Sequence, residues 1–274
     1  AFAVTNGTLK IDASSASQIF NINSSTPIGN LLMTGTNDPQ VFLSTNDLNV
    51  VQNVTIAGSG ANRFNLNGYD ISLGGNWIHN IAQTSGLSQG NNEVIFVGNQ
   101  LQEINGTLNP EFTILKVNKT AESVLMLKPV RVTEHIKLIG NVSIIDMTSN
   151  DLTLSPNAQI FADELENYEG LNYFNSSKYI VNSGSATDPL AGARLIKEVT
   201  PGNTSLVILP FPIGTPNAYT PVEIQIFPNR ATYSANAQIG VKVVPQEHPR
   251  VETNDKSLTR YWNISSMIYH LFRL

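Results

Sequence analysis

The sequence lacks cysteine and is poor in charge. The absence of cysteine excludes disulfides, thiolate metal sites and a cysteine nucleophile. Charged residues make up 14% of the chain, against roughly 25% in an average soluble protein. With a net charge of -5 and scattered lysines and arginines, no basic stripe is present, so nucleic acid is not expected as a partner. No apolar run approaches the roughly 18 residues of a membrane-spanning helix, so membrane insertion is not expected either.

Short apolar triplets separated by turn residues are what the chain has instead. Residues 31–33, 41–43, 48–50, 54–56 and 71–73 each place two apolar side chains on one face, with Asn, Ser, Thr, Gly or Pro between them. No apolar pattern of helical period and length intervenes, which indicates an all-β protein. The triplets are shorter than the strands of ordinary sandwiches.

The triplets also recur in a fixed order. Those of residues 31–73 match those of residues 113–154 about 80 residues later. Repeats of about 20 to 25 residues per coil predict a right-handed parallel β-helix, a solenoid of about seven coils over residues 4–165. Val94 and Ile95 are both expected inside it. A pair of ordinary β-sandwiches is the alternative architecture.

A change of composition divides the chain. Residues 1–165 are predicted to form the parallel β-helix, and residues 166–190, where charge and aromatics rise, a connecting segment. From residue 191 the apolar segments are longer and alternate cleanly, which predicts a small β-sandwich over residues 191–274. The last candidate strand runs to the final residue, so this sandwich is a candidate for completion by further residues or a partner chain.

Several segments carry a family resemblance. They are Gly-Asn-Trp at 75–77, Asn-Asn-Glu-Val-Ile-Phe-Val-Gly-Asn-Gln at 91–100, Phe-Pro-Ile-Gly-Thr at 211–215 and Arg-Tyr-Trp-Asn-Ile at 260–264. In this order they resemble segments of large β-helical, adhesin-like surface proteins of gliding and related bacteria, exported by type IX secretion. The resemblance implies an extracellular stalk or adhesin segment at the bacterial cell surface, with no catalytic residues to carry over.

Enzymatic function is the main competing hypothesis, because parallel β-helices also serve polysaccharide lyases and glycoside hydrolases. The Asn-Thr-Asp, Asp-Asp and His-Gly clusters of such hydrolases are missing. Asp47, Asp70 and Asp151 could line up along one edge as a carboxylate pair requires, but each stands at a turn position that has a structural use. The four histidines lack zinc-site spacing. We therefore expect a protein that is not an enzyme.

Binding functions rest on aromatic and turn residues. Trp77, Tyr168, Tyr173 and Phe174 are the candidate carbohydrate or partner surface, although tryptophan in such a coil more often packs in the core. Residues 78–92 are expected to form an exposed loop. No cofactor is expected; calcium is a candidate ligand of the Asn-Asp turns at 37–38, 46–47 and 150–151. The expected partners are other repeats of the same polypeptide, a surface protein or a polysaccharide.

Overall fold

A computed structural model describes eleven stretches of the chain. They are residues 4–13, 18–35, 40–58, 63–81, 86–166, 170–183, 192–200, 205–227, 237–248, 250 and 259–267. Within them the protein is all-β, with one short 3-10 helix at Gly170–Tyr173. No helix of these stretches is long and apolar enough to cross a membrane. The predicted fold class is therefore confirmed at the level of an all-β protein with a parallel solenoid.

The strands are short and follow one another without crossover helices. The first half of the chain contains β1 (Val4–Ala13), β2 (Ile19–Ile22), β3 (Ile28–Gly35), β4 (Gln40–Leu43), β5 (Leu48–Val50), β6 (Val54–Gly58), β7 (Arg63–Asn65), β8 (Ile71–Leu73), β9 (Trp77–Ile81), β10 (Leu87–Ser88), β11 (Glu93–Gly98), β12 (Gln102–Gly106) and β13 (Glu111–Lys119). The second half contains β14 (Val124–Met126), β15 (Val130–Leu138), β16 (Ser143–Asp146), β17 (Leu152–Leu154), β18 (Gln159–Phe161), β19 (Lys178–Val181), β20 (Leu195–Glu198), β21 (Val207–Phe211), β22 (Ile213–Thr215), β23 (Ala218–Tyr219), β24 (Val222–Ile226), β25 (Gln238–Val244) and β26 (Tyr261–Met267).

Parallel pairing between successive coils gives the solenoid three faces. The first face stacks β5, β8, β11, the later part of β13, the later part of β15, and β18. The second stacks β1, β3, β6, β9, β12, β14, β16, β19 and β22. The third stacks β2, β4, β7 and β10, and then separately the starts of β13 and β15 with β17 and β20.

Most coils take 20 to 24 residues, but the step from Trp77 to its partner Ile104 takes 27. Asp47 and Asp70 occupy equivalent positions 23 residues apart, and Phe112 and Thr133 are linked across adjacent coils 21 residues apart. The match at about 80 residues is consequently not the structural repeat. Leu32 lies on the second face and Ile114, its counterpart in that comparison, on the first. The sequence therefore indicated coils correctly but aligned the wrong faces.

Like residues stack on like along the coils. Inward positions build one hydrophobic cluster from Ile11 to Val243. At the corner between the first and second faces, Asn30, Asn53 and Asn76 form a ladder in which each amide oxygen accepts the backbone N–H of the next coil. Gly75 follows the same corner so closely that a Cβ there would lie 2.6 Å from the amide oxygen of Asn53. The ladder satisfies corner N–H groups that the strands leave free.

Parallel pairing continues beyond residue 165. Strand β19 pairs with β16, and β20 pairs with β17, both in parallel. On its other side β20 pairs antiparallel with β25, which in turn pairs with β26. The division of the chain at residues 165 and 190 stays a prediction, while the strand ladder itself crosses both positions.

Candidate functional site

A cavity lies where the strand ladder of the third face is interrupted. Strand β10 belongs to a separate four-stranded sheet and does not pair with β13 in the next coil. The side chain of Gln89 spans the interruption: its Oε1 accepts the N–H of Thr113, and its Nε2 donates to the carbonyls of Asn92 and Ile114. One buried side chain thus replaces a missing set of backbone hydrogen bonds.

A groove of about 670 Å³ opens at this interruption. Its polar lining comes from successive coils and includes Gln89, Glu111, Thr113, Arg131, Thr153 and Glu198. The volume falls within the range of about 300 to 1,000 Å³ that small-molecule sites occupy. We call this cavity the third-face groove.

A single guanidinium organises the charges of the third-face groove. Arg131 contacts both carboxylate oxygens of Glu198, at 2.9 Å for the Nη2–Oε2 pair, and its Nε lies 3.3 Å from Oε2 of Glu111. Hydrogen bonding to Glu198 raises the pKa of Arg131 above its already high value. The arrangement presents hydrogen-bond donors and acceptors in fixed positions to a ligand. The carboxylates of Glu111 and Glu198 already interact with Arg131.

A second charged cluster covers the first face. Lys116 and Lys137 stack directly on adjacent coils, and Glu93 bridges them at 3.0 and 2.7 Å. Glu164 lies 2.6 Å from Lys116, and Glu166 lies 2.7 Å from Lys137. Burial alone raises the pKa of Glu93, but hydrogen bonds from Lys137 and Lys116 outweigh it and lower this pKa. The cluster fixes residues 164–166 to the solenoid.

The three aspartates proposed as an edge do not lie together. The carboxylate of Asp47 accepts the N–H of Asp70, and that of Asp70 accepts the N–H of Glu93, so these acids form a ladder on the first face. Asp151 precedes β17 on the third face and pairs with Arg194 at 2.7 Å. Burial raises the pKa of Asp70. The single edge of Asp47, Asp70 and Asp151 is wrong, because the same turn chemistry serves different corners.

Two of the four residues of the predicted aromatic surface are buried. Trp77 is fully buried in the coil, with its ring edge-to-face against Phe112 at a centroid distance of 5.4 Å. Phe174 is also buried, whereas Tyr173 is 40% exposed; Tyr168 lies outside the described residues. Trp77 and Phe174 therefore cannot stack on a sugar, and the core position of Trp77 follows from its inward place in the second face.

The described residues of the 78–92 range, 78–81 and 86–92, do not form an exposed loop. Trp77–Ile81 forms β9 and Leu87–Ser88 forms β10, and both strands pair with the preceding coil. His79, Ile81 and Gln89 are buried. The residues continue the coil, so the expected excursion is wrong for its described part.

Metal ligands are sparse among the described residues, where no group of three His, Cys, Asp or Glu side chains could hold an ion. His79 is buried, and burial lowers its pKa. The Asn-Asp pairs at 46–47 and 150–151 are engaged in hydrogen bonds or ion pairs, including Asn46 with Asn23 and Asn150 with the carbonyl of Met126. The pair at 37–38 lies outside the described residues. Calcium therefore remains a hypothesis.

Two lysines inside the coils escaped the sequence reading: Lys119, which is fully buried, and Lys197, which is half-buried. Lys119 donates to the carbonyl of Gln100 and to Oε1 of Gln102, both at 2.6 Å. Lys197 donates to the carbonyls of Ser155 and Ala158. Burial lowers the pKa of each to about 8. A lysine at or near the end of a strand is normally expected to be exposed to solvent. The only sequence signal for an inward side chain was that each lysine lies two positions after an inward apolar residue.

Known proteins offer no further guide to these features. No protein-family model matches the chain, and comparison with characterised proteins and with solved structures also gives no match. The candidate site is therefore defined by the geometry of the coils alone.

Proposed function

We propose that this chain is a non-catalytic, extracellular structural module of a large bacterial surface protein, acting as a stalk or presenting a binding surface. The observation that carries the proposal is the single hydrophobic cluster that runs through the stacked coils from Ile11 to Val243. Each coil buries its apolar face only against its neighbours, which is the construction of an extended solenoid. Length and surface are what such a stack supplies.

The use of polar groups supports the same function. Hydrogen bonds join each coil to the next through the side chains of Asn30, Asn53 and Asn76 and through that of Asp47. Lys116, Lys137 and Glu93 do so with charge. These groups are committed to stacking rather than converging on a reacting atom, as a catalytic site requires.

The finer parts of the proposal concern architecture and setting. We infer a right-handed coil, a small β-sandwich over residues 191–274, and export by the type IX route to the cell surface. Antiparallel pairing of β25 and β26 and of β21 and β24 supports a change of architecture after the coils. Further repeats of the same polypeptide, or a surface protein, are the proposed partners.

A carbohydrate-binding or carbohydrate-active β-helix is the second candidate, and the third-face groove favours it. Glu111, Arg131, Thr113 and Thr153 offer hydrogen-bonding groups to a hydroxyl-rich ligand. The groove takes its lining from several coils, as a site for a polymer would.

Incubation with a panel of acidic and neutral polysaccharides separates the two candidates. We expect no products, by reducing-end and unsaturated-product assays. Turnover that disappears in Glu198→Gln, with the fold intact by circular dichroism, would contradict the structural proposal. Binding without turnover that is lost in Arg131→Ala but kept in Arg250→Ala, an exposed arginine outside the groove lining, would establish the binding role.

A further inference from the structure

A second, smaller cavity lies between the solenoid and the first antiparallel strand that follows it. Its volume is about 270 Å³, and it is a partly open cavity lined by Leu154, by residues 156–160 and by β21. The walls are mainly apolar and include Leu154, Ile160, Val207 and Leu209. We call it the β21 pocket.

Lys197 lines the β21 pocket from an unusual position. It pairs across the parallel ladder with Leu154, two residues after the equivalent pair of Leu195 with Leu152. Leu152, Leu154 and Leu195 are buried apolar residues. Lys197 therefore occupies a position at which the pattern of the face predicts a buried apolar residue. Its side chain consequently enters a largely apolar space.

The ammonium of Lys197 has backbone partners but no carboxylate. It donates to the carbonyls of Ser155, at 2.9 Å, and Ala158. An ammonium has three N–H donors, and no acceptor for the third is found among the described residues. None of the ion pairs in that part of the chain includes Lys197, and neighbouring Glu198 is bound to Arg131 instead.

The half-buried Lys197 differs in this respect from Lys116 and Lys137, whereas the fully buried Lys119 likewise donates only to uncharged groups. Lys116 and Lys137 each contact two glutamates. Burial without such a partner disfavours the charged form, and the pKa of Lys197 is accordingly lowered to about 8. An anion beside Nζ of Lys197 would stabilise the charged form of the lysine and offset the cost of its burial.

We propose that the β21 pocket binds a small monocarboxylate with a compact apolar body, its carboxylate accepting a hydrogen bond from Nζ of Lys197. An apolar cavity of roughly 150 Å³ holds one benzene ring, so about 270 Å³ accommodates a ring and a carboxylate. Phosphate and sulfate fit less well, because most of the lining is apolar and would leave some of their oxygens unpaired. The proposal is independent of the stalk function.

Calorimetric titration with benzoate at neutral pH tests this site. Benzoate should bind saturably in the millimolar range or tighter. Benzamide, which keeps the ring, and acetate, which keeps the charge, should each bind about tenfold more weakly or worse, since a hydrogen bond to a charged group contributes about that factor. Equal binding of benzoate and benzamide, or no saturable binding of benzoate, would overturn the proposal.

Variants identify the lysine responsible. Lys197→Met should lose about tenfold or more in benzoate affinity, whereas Lys119→Met should keep it, because Lys119 is fully buried and lines neither described cavity. Unchanged affinity in Lys197→Met would refute the site. If that variant does not fold, reductive methylation of the wild-type protein decides: benzoate should protect Lys197, mapped by peptide mass spectrometry, and undiminished labelling of Lys197 contradicts the proposal.

Discussion

At the residue scale, the inward or outward direction of each side chain decides its role. In the stack of β8, β11 and β13, Val94 lies between Ile71 and Leu115, while Ile95 lies between Ser72 and Lys116. Ile71, Val94 and Leu115 are buried, whereas Ile95 is only partly buried. The expectation that both Val94 and Ile95 are inside is therefore wrong for Ile95, since successive strand side chains point to opposite faces.

Val94→Asp and Ile95→Asp form a matched pair for this assignment. The first should lower the free energy of unfolding by about 3 kcal/mol or more, because it buries a carboxylate without a partner. The second should cost about 1 kcal/mol or less, because its carboxylate can reach water and lies beside Lys116. Urea denaturation followed by circular dichroism measures both. Equal costs would show that the register of β11 is misassigned.

Lys119 gives the protein an alkaline dependence of stability. Its pKa is about 8 in the folded state and about 10.4 when unfolded. Between these values the unfolded state binds more protons, so the free energy of unfolding should rise from pH 8 to pH 10. Lys197 has the same lowered pKa and adds to the rise. Lys119→Met should therefore reduce the rise by about half, as measured by urea denaturation at several pH values. The same pH dependence in wild type and Lys119→Met would rule out this assignment.

At the element scale, a change in coil geometry explains several polar features together. Ile71 pairs with Val94 on the first face, and Trp77 pairs with Ile104 on the second. Trp77 lies six positions after Ile71 in the earlier coil, but Ile104 lies ten positions after Val94 in the later coil. The later corner is wider, so the coils on its two sides have different outlines.

Buried polar side chains fill the mismatch at that corner. Nε2 of Gln102 donates to the carbonyls of Leu73 and Gly75 in the narrow corner, while its Oε1 accepts from Lys119 in the wide one. On the opposite side of the same coils Gln89 bridges β10 and β13, where the third-face groove opens. Gln102 and Lys119 thus fill the wide corner, and Gln89 fills the interruption of the third face.

How far the sequence predicts these elements depends on how local the signal is. The alternating triplets correctly indicate β5, β6 and β8, because two inward side chains per strand suffice to mark a face. The wide corner has no such local signal, since it exists only relative to the coil beneath it. For the same reason neither the third-face groove nor the inward place of Lys197 could be predicted, and Trp77 was the one candidate whose buried alternative was recognised.

The bridging role of Glu93 is testable within the lysine cluster. Glu93→Gln should cost about 2 to 4 kcal/mol, because it leaves Lys116 and Lys137 stacked without their shared charge. Glu166→Gln should cost about 1 kcal/mol or less, since Glu166 is 41% exposed and contacts one lysine. Urea denaturation compares the two variants. Similar costs would mean that Glu93 does not hold the pair together.

At the scale of the whole molecule, the described coils end differently. On the third face β20 is covered by antiparallel β25 beyond the last parallel pair. Strand β1 pairs only with β3 among the described strands, and β2 only with β4. Parallel coils gain stability from neighbours on both sides, so strands β1 and β2 should open at a lower free energy than the central coils.

Hydrogen exchange with paired variants tests this gradient. Ile11→Asp, in β1, should abolish protection in β1 and β3 while leaving β13 and β15 protected, because only the adjacent coil loses its contact. Val94→Asp, in the middle of the stack, should reduce protection in β8 and β13 as well as in β11, since both neighbours pair with the altered strand. Mass spectrometry of peptic peptides resolves these regions. Complete loss of protection throughout the coils in Ile11→Asp would show that the solenoid unfolds as one cooperative unit, and would contradict nearest-neighbour stabilisation.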